Sequence, residues 1–322
     1  MIALKKFAFI LCVLLLNNYL QAQTSNPKFK DVDAYVISLG KLDSMNMGSI
    51  SHLLTKRFTD NTDKVRAIYT WVALNISIDA KATRSGNYNK QYFSEDILKS
   101  RKSTASGFAA LFQDLCSVAK IRCLTVDGYL KNNVEQINEK PDELNHTWAV
   151  VQLGQSPETW YYVDPMLGSG YLDEKMSTFT PAFSDVYFFP NKRIFNLQHF
   201  PDNMAWQLES GSKNSKDFFG LPVIKTAAYE FGLTQLLPNN GYIKTKTSKP
   251  VSFSLSLNPS ATIDIVALKI GPEKKNKTKT VNHSFTNGSL QFTYKFEDED
   301  SYPVSVLING KEVARYFIES AE

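Results

Sequence analysis

The hydrophobic period changes along this chain, and that change limits the fold to one that mixes helices and strands first and is β-rich afterwards. Val65, Ile68, Tyr69, Val72 and Ile76 recur at the spacing of one buried helical face, with Thr62 placed to cap the start. A second helix is expected from Ser94 through Ile97 and Leu98. A third should run over about 105–119, with Phe108, Leu111, Phe112, Leu115 and Val118 on its apolar side. Strands are predicted over 121–129, 147–153 and 159–163, the last two joined by a turn around Gly154-Gln155-Ser156-Pro157. Beyond residue 250 the period is two. Val251, Phe253, Leu255 and Leu257 alternate with serines, and Leu290, Phe292, Tyr294 and Phe296 alternate in the same way. Asn309-Gly310 between two apolar runs is a strong hairpin signal. Several such strands in about 100 residues argue for a small antiparallel β-sandwich.

Between these regions, Ser210 to Lys216 is polar and aperiodic, with the composition of a linker. A length of 322 residues agrees with about two domains. The expected division is a leader at 1–22, a mixed domain at 23–209, a linker at 210–220 and a sandwich at 221–322. Hydrophobic content of 43% and charged content of 21% exclude a disordered or fibrous chain. The net charge of +4 falls to +2 without Lys5 and Lys6, too small an excess to imply a nucleic-acid partner. The basic stretch 274–279 carries no interleaved aromatics and reads as a solvated loop.

Lys5 and Lys6 precede an apolar run from Phe7 to Leu16, too short to span a bilayer, and Ala22 supplies a small residue for cleavage. This pattern predicts a secretory signal peptide and a periplasmic or extracellular protein without an integral membrane segment. Five Asn-x-Ser/Thr triplets begin at Asn75, Asn145, Asn276, Asn282 and Asn287. A glycan on Asn145 would obstruct the neighbouring His146, which favours a bacterial source. Cys116 and Cys123 are the cysteines left after cleavage, and two are not a disulfide framework; they read as small buried hydrophobes.

The four histidines are His52, His146, His199 and His283, and none stands at ligand spacing to another ligating residue, so no metal site and no cofactor is expected. His146 opens one predicted strand and Asp164 ends the next. Antiparallel pairing of those strands would let a carboxylate orient an imidazole, two parts of a nucleophile–base–orienter triad. The same pairing equally suits a hydrogen bond that only ties two strands together.

The order of several short blocks resembles the transglutaminase-like proteins of papain-type fold, in particular their kyphoscoliosis peptidase-like branch. The blocks include Ile68-Tyr69-Thr70-Trp71-Val72, Arg101-Lys102, Ser106-Gly107-Phe108, Asn145-His146-Thr147-Trp148, Trp160-Tyr161-Tyr162-Val163-Asp164-Pro165, and Phe200-Pro201-Asp202 with Trp206-Gln207-Leu208. The resemblance covers about residues 63–208. It implies a papain-like transglutaminase core with His146 and Asp164 as base and orienter; joined to the C-terminal strands, the expected fold is α+β, that core followed by an immunoglobulin-like β-sandwich.

In that family the Arg-Lys pair is followed by Gly-x-Cys, and the cysteine is the nucleophile. Here Ser103 and Ala105 stand at those positions. Cys116 lies about 16 Å further along the same helix and cannot substitute. Ser103, Thr104 and Ser106 remain as hydroxyl candidates. The resulting expectation is a catalytically inactive binder of a protein, peptide or cell-wall ligand. Against it stand an acyl-transfer enzyme or peptidase with a noncanonical hydroxyl nucleophile, and a purely structural module.

Overall fold

A computed structural model of the chain describes residues 26–86, 93–154, 159–173 and 175–322. The expected signal peptide and most of the 154–157 turn lie outside the described residues. The chain forms two compact units, 1–125 with 148–188, and 126–147 with 189–322. Two of the three divisions fall inside strands, after Thr125 and after Thr147, and the third follows Phe188.

The first unit begins with α1 (Lys30–Leu39), α2 (Met47–Thr55) and α3 (Asn61–Asn75). The cap of α3 is Asp60, not Thr62: its carboxylate accepts from the backbone N–H of Thr62 and Asp63. The periodicity predicts one buried face, yet every residue from Val65 to Ala73 is buried. Contacts with α1 and α2 on one part of its surface, and with later helices on the rest, make α3 the centre of the unit. Arg66 enters that interior because Asp33 of α1 receives it with two parallel hydrogen bonds, Nε at 2.9 Å and Nη2 at 2.7 Å.

The strands β1 (Ser77–Ile78) and β2 (Lys102–Ser103) pair in parallel. Between them lie α4 (Ala80–Arg84) and α5 (Ser94–Ser100). Next come α6 (Ala105–Val118) and the start of β3 (Arg122–Leu130). The strand β4 (His146–Gln152) pairs antiparallel with β5 (Trp160–Val163), Ala149 opposite Val163. The short helix α7 (Pro165–Ser169) follows, then β6 (Gly170–Leu172) paired with β7 (Phe179–Pro181).

In the second unit the end of β3 pairs antiparallel with β8 (His199–Pro201), which follows α8 (Lys192–Gln198). The segment expected to be a linker contains α9 (Ser215–Gly220), capped by Asn214. Its Phe218 and Phe219 are buried with Tyr129 and Phe200. Two aromatic residues at the end of a polar run thus dominate the behaviour of the segment, because burying each contributes about 1.5–3 kcal/mol.

After β9 (Val223–Ile224) and α10 (Thr226–Glu230) the chain is β-rich. One sheet contains β10 (Gln235–Leu237), β12 (Pro250–Ser256), β15 (His283–Thr286) and β16 (Ser289–Lys295), in the order β10-β12-β16-β15. The other contains β11 (Tyr242–Lys246), β13 (Val266–Ile270), β14 (Lys277–Thr280), β17 (Asp300–Ile308) and β18 (Lys311–Ala321). Its order is β11-β18-β17-β13-β14, with β9 also on β18. All these pairs are antiparallel except β11 with β18. Phe253, Leu255, Leu290 and Phe292 of the first sheet share one hydrophobic cluster with Leu268, Val304, Val306 and Tyr316 of the second. The Asn309-Gly310 turn has both φ angles positive, 50° and 79°, the geometry that lets a two-residue loop follow the strand twist.

Candidate functional site

The approach to α6 is fixed residue by residue. Arg101 takes a left-handed conformation, φ 55°, that ends α5. Its guanidinium lies 5.1 Å from the Trp71 ring and donates to the carbonyl of Lys41. The β1–β2 pairing then holds Lys102 and Ser103, with the Asp79 N–H donating to the Ser103 carbonyl at 2.9 Å. Thr104 is extended and Ala105 is the first residue of α6.

Ala105 is buried, 6% exposed. The Thr104 side chain makes no capping hydrogen bond to α6. The Thr104 hydroxyl lies 3.1 Å from that of Ser106 instead of accepting from the helix backbone. The first turn therefore keeps the positive end of the helix dipole without a capping oxygen from Thr104. Ser103 is fully buried, and its hydroxyl has no hydrogen-bond partner among the described residues. It lies over Gly107, where a Cβ would come within 1.8 Å of Ser103 Oγ and 3.0 Å of Ile97. Ser103 thus uses the space that Gly107 leaves. Its hydroxyl occupies an apolar slot, which makes it a poor nucleophile candidate. Ser103→Ala is expected to raise unfolding stability by about 1 kcal/mol, because an unpaired buried hydroxyl is removed. Urea denaturation of the two proteins would read this directly; a loss of stability would mean that the hydroxyl has a partner.

Cys116, on the same helix, is fully buried, and burial pushes its thiol pKa well above the ordinary range. A thiol held protonated in the core does not attack a carbonyl.

Asp164 is fully buried and immediately follows β5. Its Oδ1 accepts from the Leu167 N–H at 2.9 Å, capping α7, and its backbone N–H donates to the Tyr187 carbonyl. Gly168 on that turn faces Tyr69, where a Cβ would lie 2.1 Å from the phenol oxygen. The Tyr69 hydroxyl donates to the Ser184 carbonyl, and burial raises its pKa well above 10. The carboxylate is therefore carried on a turn braced by the central helix α3.

His146 is buried at the first position of β4. His146 is the first residue of β4, and Asp164 directly follows β5, the strand paired with it. Asn145 closes this end of β3: its Oδ1 accepts from the Leu130 N–H and its Nδ2 donates to the Leu130 carbonyl.

Sequence reasoning missed His199. It is fully buried, opens β8 opposite Leu130, and lies with its ring 5.4 Å from that of His146. Its ring stacks on Phe195 at 3.7 Å, and its Nδ1 is 3.3 Å from the Phe195 carbonyl. No local spacing signals this pair, because strand pairing across β3 brings the two histidines together.

Residues 49–165 match the family model of the Transglutaminase-like superfamily. The chain is 32% identical over 201 residues to a mouse protein (Mus musculus) named Kyphoscoliosis peptidase, covering 62% of this chain and 30% of that protein. With the Homo sapiens protein of the same name the identity is 31% over 226 residues, 69% of this chain and 33% of the relative. Hillarin of Drosophila melanogaster is 23% identical over 233 residues, covering 66% and 27% respectively. The chain spans about a third of the length of these relatives.

Proposed function

Through residues 49–165 this chain belongs to the transglutaminase-like superfamily, and from that membership we propose that it is an exported binding protein whose domain no longer performs acyl transfer. The observation that carries the proposal is Ala105. A methyl group stands at the first residue of α6, the position at which a helix N-terminus would activate a thiol. In this reading His146 and Asp164 persist as a base and its orienter without a nucleophile to serve. The remaining surfaces, including the two C-terminal sheets read as an immunoglobulin-like sandwich, hold a protein, peptide or cell-envelope ligand. Export is supported by Lys5, Lys6 and the apolar run that follows. Among the described residues no helix is long and apolar enough to cross a membrane.

The test is incubation of the chain with a library of glutamine-containing peptides and a primary amine, followed by mass spectrometry. The expected result is neither amine incorporation nor peptide cleavage. One observation favours a second reading, an enzyme with a hydroxyl nucleophile: the 3.1 Å contact between the Thr104 and Ser106 hydroxyls could align one of them for deprotonation. Turnover by the unaltered chain that is abolished in Ser106→Ala or Thr104→Val would establish that reading and end the first.

A further inference from the structure

We propose that His146 and His199 bind one divalent transition ion of the zinc, copper or nickel class. The proposal does not depend on the binding role above. Both imidazoles are buried, 3% and 0% exposed, in the same unit. Their rings are tilted by 48° rather than stacked on each other, and one ring nitrogen of each lies within 4.8 Å of the other. Two imidazole nitrogens bound to a single ion at about 2.0–2.1 Å are about 3.4 Å apart in a tetrahedral site. The pair therefore has to close by little more than 1 Å, a side-chain rotation rather than a rearrangement of strands.

His199 has a carbonyl oxygen beside one ring nitrogen, as metal-ligating histidines commonly do on the side away from the ion. The Phe195 carbonyl beside Nδ1 favours a proton there, which leaves Nε2 as the ligating nitrogen, and coplanar stacking on Phe195 fixes the ring plane. His146 is held at the first position of a strand, and its neighbour Asn145 is tied on both sides of its amide to Leu130, the residue that pairs with His199. One residue of β3 thus sets the position of both histidines. Neutral imidazole is a strong donor for this class of ion, whereas calcium and magnesium require oxygen ligands. The four histidines of the chain lack ligand spacing in the sequence, so this pair is created by the fold alone.

The experiment uses the full chain without a polyhistidine tag, stripped with a chelator and titrated with zinc ion by calorimetry. The expected result is one equivalent bound, with affinity reduced at least tenfold in both His146→Gln and His199→Phe. The phenylalanine keeps the stack on Phe195, and far-ultraviolet circular dichroism checks that both variants fold. A second readout needs no variant. In imidazole nitrogen–proton correlation spectra of the unaltered chain, zinc ion should shift the resonances of His146 and His199 and leave those of His52 and His283 unmoved. Absence of binding, binding undiminished in folded variants, or shifts confined to His52 or His283 would overturn the proposal. Loss of peptide binding in the same preparations would bear on the binding role and leave this result unchanged.

Discussion

Arg66→Ala is expected to cost about 3–5 kcal/mol, a large share of a typical domain's stability, because it leaves a buried carboxylate without its cation. The side chain of Arg66 is almost wholly enclosed. Its guanidinium makes a bidentate pair with Asp33, lies 3.9 Å from Asp185, and sits 5.1–5.5 Å from the rings of Phe29, Tyr69, Phe183 and Phe188. Asp33 also accepts from the Thr70 hydroxyl at 2.7 Å. Asp185 shares the same charge, and burial is the main influence raising its pKa. Removing the cation therefore strands Asp33 and leaves Asp185 less compensated. Arg66→Met with Asp33→Leu should lose less than the sum of the single changes, since the paired charges then leave together. Chemical denaturation of the two single variants and the double variant measures this coupling; additive losses would show that the charges act independently. The consequence reaches the site through Tyr69, which shares α3 with Arg66 and braces the turn after Asp164.

What the sequence revealed and what it hid follow from the range of the interactions involved. The helix 105–118 and the paired strands of the C-terminal region announce themselves by period, because each has one face in the core and one outside. The Asn309-Gly310 turn is legible because few other dipeptides accept two positive φ angles. Burial of α3 on all sides is not legible. A buried Arg66 looks like a solvent-facing residue until Asp33, far away in the chain, is seen to pair with it. The polar segment before α9 looks like a linker because composition averages over residues, while Phe218 and Phe219 alone determine that its end is buried. For the candidate site, the place of His146 at the start of one strand and of Asp164 after the next is legible from period and turn signals. His199 is not, because its neighbour is set by the order of strands across β3.

The central claim is that Ala105 leaves the proposed site without a nucleophile, and Ala105→Cys tests it most directly. A thiol at the first residue of α6 would meet the positive end of the helix dipole and, in the proposed reading, the imidazole of His146 held by Asp164. Both effects stabilise thiolate. The predicted thiol pKa lies below the unperturbed value of about 8.5. The measurement is the pH dependence of iodoacetamide alkylation of the variant, with chelator present so that His146 carries no ion. The unaltered chain supplies the background, which should be low because Cys116 and Cys123 are buried and burial pushes the Cys116 thiol further up. Amide turnover is not required of the variant, since Ser103 stands where the family has glycine. The account predicts rapid alkylation at mildly acidic pH, lost when His146→Ala is added. A cysteine at position 105 that titrates near 8.5, with or without His146, would contradict it.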